Sequence, residues 1–262
     1  MSTPLPEALR LVPDGTAHHG VLAPDWAQGR AAFGGIVAAW GVTALRADVP
    51  SDRPLRSVLV SFVAPLAPGP FRVQPRVLRA GRAATQAEAR LLTGDTEIAV
   101  LVASFGASRP TRLRWPGPPA PAWPGRDDRP SMPYVEGLTP AFTRHFEYRW
   151  AHGDLPYSGG ESAALGGWVR PREPGPLDEL RTLLLLDAWP APFIGRAQGH
   201  VPMSTLTWLA NFVSPPAGEG WCTYDAATVA ADDGYADFDA KLWGPDGALV
   251  ATSRQCVVEF SG

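Results

Sequence analysis

One carboxylate stands out among the side chains that could do chemistry, because it follows the most apolar segment of the chain. In "RTLLLLDAWPAP", Asp187 comes directly after four leucines and just ahead of a turn with two prolines. An unpaired buried carboxylate is strongly destabilising, so a charge at this position needs a reason. It can cap the turn or pair with an arginine, and it can also accept a proton from water. The residue alone does not decide between these roles.

The other reactive side chains do not form a recognisable site. The five histidines show neither an HExxH pattern nor the Cys/His spacing of a zinc site. The stretch "GESAALGG" around Ser162 lacks the lysine of a phosphate loop, and Ala164 stands where a nucleophile elbow needs glycine. We therefore expect no metal site and no cofactor.

The composition is that of an ordinary globular chain that binds a small ligand. Of its 262 residues, 45% are hydrophobic and 19% are charged. A net charge of -3 argues against a nucleic-acid partner, which usually requires a basic face. No apolar run approaches the ~20 residues of a membrane helix, and the N-terminal sequence lacks the pattern of a secretion signal. We expect a cytoplasmic protein that does not bind membranes.

An internal repeat divides the chain into two similar halves. The segment "SFVAPLAPGP" begins at Ser61 and "NFVSPPAGEG" begins at Asn211, an offset of 150 residues. Ahead of the first segment lies "AAFGGIVAAWGVTALRA", which is apolar on every side and therefore predicts a buried helix. The same offset predicts the second helix over "LLLLDAWPAPFIGRA". Each half thus reads as a buried helix followed by four strands.

The predicted strands alternate in polarity, as expected of an antiparallel sheet with one solvated face. Gln86, Glu88 and Arg90 alternate with apolar residues in the first half, and Asp237 and Asp239 do so in the second. Between the halves, a segment with nine of the 29 prolines predicts a semi-rigid linker. We therefore expect an N-terminal domain over 1–108, a linker over 109–140 and a C-terminal domain over 141–262.

A long helix wrapped by a curved antiparallel sheet, present twice in one chain, predicts an α+β fold of the double hot-dog type. The blocks "AAFGGIVAA", "LRSVLVSFVAPLAPGPFRVQPRVLRAGRAATQAEARLL", "FEYRW", "GGWVRP", "LDELRTLLLLDAWPAP" and "LVATSRQCVVEF" resemble successive blocks of the acyl-CoA thioesterase II family. The likeness spans most of the chain outside the linker. Its strength lies in the order and spacing of the blocks.

The resemblance implies a water-activating site in the second half. In that family an aspartate, a threonine and a glutamine hold the water that attacks a thioester carbonyl. The matching residues here are Asp187, Thr205 in "VPMSTLTWLANF" and Gln255 in "TSRQCVVEF". Ser204 and Thr207 lie close to Thr205 and leave the choice of hydroxyl open. The chemistry is coherent, because a carboxylate accepts a proton while amide and hydroxyl groups orient the water.

The same resemblance assigns Gly34 and Gly35, at the start of the first buried helix, to contact with the acyl group or its oxyanion. Backbone N–H groups at a helix N-terminus can stabilise such an oxygen. The two glycines can equally serve close packing of helix and sheet. Both roles stay open.

The polar residues occur in one half only. The repeat offset places Val37 against Asp187 and Ser104 against Gln255. A purely structural duplication gives no reason for this difference, whereas one active site for each pair of halves does.

The sequence therefore predicts a hydrolase that cleaves an acyl-CoA, or a related acyl thioester, to an acid and a free thiol. A non-catalytic acyl-thioester binder is the main alternative. A hydratase or dehydratase is disfavoured, because Pro192 stands where its histidine is needed. Leu59 also replaces a histidine that some family members carry. A homo-oligomer of double hot-dog chains is possible.

Overall fold

A computed structural model describes residues 2–260. The helices are α1 (Leu5–Ala8), α2 (Gly34–Arg46) and α3 (Glu179–Asp187), with short 3-10 turns at Pro24–Trp26, Ala141–His145 and Pro192–Arg196. The strands are β1 (Val12–Asp14), β2 (Ala17–Leu22), β3 (Ala27–Gln28), β4 (Ala31–Ala32), β5 (Leu55–Phe62), β6 (Gly69–Ala80), β7 (Ala84–Thr93), β8 (Thr96–Gly106), β9 (Phe146–His152), β10 (Ala164–Pro171), β11 (Met203–Phe212), β12 (Cys222–Asp232), β13 (Tyr235–Trp243) and β14 (Leu249–Glu259).

Twelve of these strands form one continuous antiparallel sheet, in the order β1-β2-β6-β7-β8-β5-β11-β14-β13-β12-β10-β9. The halves join where β5 pairs with β11, and the register there places Leu59 opposite Leu209. These two residues are 150 positions apart, so the repeat relates each to the other. A pseudo-two-fold axis therefore passes through this pair. The predicted order of one helix and four strands is confirmed in both halves.

Helices α2 and α3 pack against each other in antiparallel directions, and each of them also contacts strands of its own half of the sheet. At one end, a Cβ on Gly35 would lie 3.1 Å from the Cα of Leu184, so the absent side chain allows the two backbones to approach closely. At the other end, Arg46 pairs with Glu179, which also accepts the N–H of Leu55 at 2.6 Å. These contacts fix both the separation and the register of the helices.

The predicted alternation of the strands is confirmed. Ala87, Ala89 and Leu91 are fully buried on β7, whereas Gln86 on the opposite face is exposed. On β13, buried Phe238 alternates with half-buried or exposed neighbours. Each half therefore presents one apolar face to its helix, as the polarity pattern indicates.

The second buried helix is shorter than predicted. It begins at Glu179 and ends at Asp187, instead of continuing through "AWPAPFIGRA". Pro190 and Pro192 explain the difference, because proline disfavours helical geometry in the residue before it and removes a backbone donor. Two strands of the large sheet also precede the long helix of each half, β1–β2 and β9–β10, and the repeat alone did not predict them.

The first-half position that matches Gln255 is also corrected by the strand register. Gln255 pairs with Trp208, and the repeat equivalent of Trp208 is Val58, which pairs with Ala103. Ala103, not Ser104, is therefore the structural counterpart of Gln255. The connections between these strands are therefore longer in the second half by one residue more than the repeat offset predicts.

The proline-rich segment contains no helix or strand between residues 107 and 140, apart from a single bridge from Ser131 to Arg149. It runs along the second half, where the Pro118 carbonyl accepts the indole N–H of Trp243 at 2.8 Å. Within residues 2–260, no helix is long and apolar enough to span a membrane.

We expect a fragment of residues 139–262 to aggregate or self-associate, because β11 would lose its partner strand and α3 its partner helix. Unpaired strand edges and large apolar patches drive association. Size-exclusion chromatography of the fragment checks this, and co-expression with residues 1–126 should give a soluble complex. A soluble, monomeric second half would contradict the expectation.

Candidate active site

Asp187 is the last residue of α3, and the local sequence explains why the helix places it there. The Asp178 carboxylate caps the first turn by accepting the N–H of Arg181 at 2.7 Å. The four leucines that follow are buried without exception, so the helix is held on all sides up to Asp187. Asp187 itself is half-buried and keeps part of its surface accessible to solvent.

A continuous chain of hydrogen bonds joins the three polar residues predicted for the site. Gln255 is 4% exposed, and its Nε2 donates to Asp187 Oδ1 at 2.9 Å. Its Oε1 accepts the hydroxyl of Thr205, also at 2.9 Å. The orientation of the amide is fixed from both sides, because an ionised carboxylate can only accept. Residues from α3, β14 and β11 thus meet at one point.

A β-bulge selects Thr205 among the three candidate hydroxyls. The register between β11 and β14 shifts between Thr205 and Thr207, so Thr205 and Trp208 both face the interior although they are three residues apart. Ser204 and Thr207 are exposed. Strict alternation along the strand cannot place both Thr205 and Trp208 inside, which is why the sequence left the choice open.

The first turn of α2 lies directly beside the carboxylate. A Cβ on Gly34 would stand 2.7 Å from Asp187 Oδ2, so any side chain at this position would displace the carboxylate. The same Cβ would lie 3.1 Å from the ring of Phe62, at the end of β5. The backbone N–H of Gly35 forms a hydrogen bond with Asp187. The structure therefore brings both predicted glycines to the three polar residues, with a direct contact to the carboxylate that the sequence did not indicate.

The surroundings of Asp187 change its acidity. Burial raises the pKa of Asp187 to about 7, although the hydrogen bonds from the Gln255 amide and the Gly35 N–H oppose the shift. Desolvation penalises the ionised form more than two hydrogen bonds stabilise it. A carboxylate with such a pKa can accept and return a proton near neutral pH.

Aromatic residues that the sequence did not assign to the site surround the turn after Asp187. Trp189 stacks on Tyr224 with ring centroids 5.3 Å apart and meets Tyr148 edge-on at 5.5 Å. The pKa values of both tyrosines are raised, first by burial and then by the charge of Asp187. Tyr148 and Tyr224 lie far from Asp187 along the chain, so no local sequence pattern connects them to it.

The arrangement has the parts needed to activate a water molecule. A half-buried carboxylate supplies the base, and an amide and a hydroxyl beside it can orient the water. The N-terminus of α2 adds backbone N–H groups and the positive end of a helix dipole, which favour a developing negative oxygen nearby.

Two family models match the sequence over most of its length. A model described as the acyl-CoA thioesterase N-terminal domain matches residues 22–106, and one described as the acyl-CoA thioesterase C-terminal domain matches residues 116–258. The second alone spans more than half of the chain. No curated protein matches the sequence at a significant level.

Solved structures share the architecture at low sequence identity. A conserved protein with a hot-dog fold from Alicyclobacillus acidocaldarius is 23% identical, with a TM-score of 0.88 over 98% of this chain and 97% of its own. An acyl-CoA thioesterase II from Mycobacterium marinum is 20% identical, with a TM-score of 0.76 over 97% of each chain. These similarities confirm the predicted double hot-dog fold.

Replacing Asp187 by Asn should stabilise the protein above neutral pH. With a pKa of about 7 in the native state and 3.8 as the ordinary value, the native protein retains a proton between these pH values that the unfolded chain has lost. The free energy of unfolding therefore falls as the pH rises through this window and stays lower above it. Asn does not titrate, so Asp187→Asn avoids this loss, on the order of 2–4 kcal/mol.

Urea denaturation of both proteins at pH 5 and pH 8 measures the difference. The stability advantage of Asp187→Asn should be roughly two to three times larger at pH 8 than at pH 5. An equal difference at the two pH values would show that the native pKa is not raised.

Proposed function

We propose that this chain, which belongs to the acyl-CoA thioesterase family, hydrolyses acyl thioesters by direct attack of a water molecule that Asp187 deprotonates. The observation that carries the proposal is the hydrogen-bonded chain from Asp187 through Gln255 to Thr205, beside the first turn of α2. Family membership supplies the substrate class, and this geometry supplies the groups that the reaction needs.

Asp187, Gln255 and Thr205 divide the work on the water. Gln255 uses one hydrogen of its amide nitrogen for Asp187, so the second can bind the water oxygen. Thr205 donates its hydrogen to Gln255, and its oxygen lone pairs can accept a hydrogen of the water. The remaining hydrogen of the water then points toward Asp187. This orientation directs a lone pair of the water at the substrate carbon.

The reaction balances without a covalent enzyme intermediate. Asp187 takes a proton from the water while the oxygen of the water bonds to the thioester carbon, which produces a tetrahedral intermediate. The carbon–sulfur bond then breaks, and Asp187 returns the proton to the departing thiolate. The products are a carboxylic acid and the free thiol, and the carboxylate is regenerated. A pKa near 7 suits both transfers.

The backbone at Gly34 and Gly35 is the proposed contact for the thioester carbonyl oxygen. That oxygen becomes negative in the tetrahedral intermediate, and N–H groups at a helix N-terminus stabilise such charge. The absence of a side chain at Gly34 lets the first turn of α2 lie directly against Asp187, since a Cβ there would stand 2.7 Å from Oδ2. The site therefore requires α2 from the first half and α3 from the second.

Thiol release from a panel of short, medium, long and aromatic acyl-CoAs tests the proposed function directly. We expect hydrolysis of at least one class, with dependence on pH through the titration of Asp187. Binding of several acyl-CoAs without hydrolysis of any would favour the alternative, a non-catalytic acyl-thioester binder.

Asp187→Asn should lower kcat by about 10²–10⁴-fold, the usual contribution of a positioned general base. The side chain is nearly isosteric, so the fold should persist. Gln255→Ala should lower kcat more than it raises KM, because the water loses its orientation. Steady-state kinetics on the best acyl-CoA measures both.

The matched control is Asp225→Asn. Asp225 is a half-buried aspartate on β12 that pairs with His152 at 2.9 Å. Asp225 is not part of the hydrogen-bonded chain from Asp187 to Thr205, so its replacement should leave kcat within about twofold. Near-normal turnover by Asp187→Asn would remove Asp187 from the mechanism.

A further inference from the structure

The C-terminus of α3 lacks the usual backbone closure. The last carbonyls of a helix have no intrahelical donor, and many helices close this end with a left-handed glycine that supplies one. Here Ala188 follows Asp187 with ordinary right-handed angles, φ -71° and ψ -21°. Pro190, two residues further on, has no N–H to donate. The turn that carries Asp187 therefore needs a donor from another element.

Tyr148 on β9 provides that donor. Its buried hydroxyl donates to the Ala188 carbonyl at 3.0 Å. The ring is 7% exposed and packs edge-on against Trp189. Its backbone is fixed as well, because its carbonyl accepts the N–H of Met132 at 3.0 Å and the strand register pairs it with Val169. A rigid part of the sheet thus holds the peptide next to Asp187.

This hydrogen bond is available at every pH where Asp187 titrates. Burial and the charge of Asp187 raise the pKa of Tyr148 well above its ordinary value, so the hydroxyl stays protonated. If the hydroxyl were absent, the Ala188 carbonyl would be left buried without this partner, and the peptide after Asp187 could reorient to find another. A displacement of about 1 Å in a reacting group can reduce the rate by about 10²-fold.

We propose that Tyr148 is a positioning residue, which holds the Asp187 carboxylate against the Gln255 amide through its hydrogen bond to the Ala188 carbonyl. The inference rests on the proposed function, because it adds a residue to the same site. Tyr148 acts through the backbone of the turn and does not contact the reacting atoms.

Tyr148→Phe tests the proposal, because it removes only the hydroxyl and keeps the ring. We expect kcat to fall by about 10–100-fold while KM changes little. A looser contact with Gln255 should also raise the pKa of Asp187 above about 7, since that hydrogen bond lowers it. Carbon-13 NMR of aspartate-labelled protein measures the carboxyl pKa, and Asp187→Asn assigns its signal.

Tyr224→Phe is the matched control. Tyr224 is buried and within electrostatic range of Asp187 and also packs against Trp189, but the hydroxyl that donates to the Ala188 carbonyl is that of Tyr148. This variant should leave both kcat and the pKa of Asp187 unchanged.

Wild-type values of kcat and of the Asp187 pKa in Tyr148→Phe would overturn the proposal. A lower melting temperature with no change in either quantity would also overturn it, because the role would then be structural only. If the unmodified protein hydrolyses no acyl-CoA, the proposed function fails. The carboxyl titration still tests Tyr148 in that case, since it needs no turnover.

Discussion

The close approach of α2 to α3 is the contact on which the candidate site depends. Two helix backbones can come this near only where one of them lacks a side chain, and Gly35 against Leu184 meets that condition. The contact brings the first turn of α2, with the Gly35 N–H and the positive dipole end, to the carboxylate of Asp187. A larger residue at Gly35 would separate the helices, and the two halves of the site with them.

The pseudo-two-fold axis relates two equivalent ends of the helix pair, and polar residues suited to a site occur at only one of them. At this end lie Asp187, Gln255 and Thr205. At the opposite end, Ala103 occupies the position equivalent to Gln255, and the Arg46–Glu179 pair with the Leu55 N–H fills the space between the helices. One end therefore serves the attachment of the halves, while the other is left polar and partly open to solvent.

The buried carboxylate of the candidate site lowers the stability of the fold when it is ionised. Burial raises the pKa of Asp187 to about 7, and the same burial makes its ionised form destabilising for the fold. The Gln255 amide and the Gly35 N–H offset part of this cost. Tyr148 also supports this region, because its hydroxyl donates to the Ala188 carbonyl at the end of α3, where Pro190 cannot supply a backbone donor. A pKa raised by burial in this way is typical of carboxylates at functional sites.

The sequence by itself determined the duplicated order of helix and strands and the alternation of the strands, because repeats and polarity periods are local properties of the chain. It also singled out Asp187 as the carboxylate that follows the most apolar segment. Only the tertiary structure decided which hydroxyl reaches Gln255, because a bulge reversed the facing of Thr207 and Trp208. It alone also showed where α3 stops and that Tyr148 closes its end. These features depend on contacts between residues far apart in the chain, where register and distance are set by packing and leave no periodic signal in the sequence.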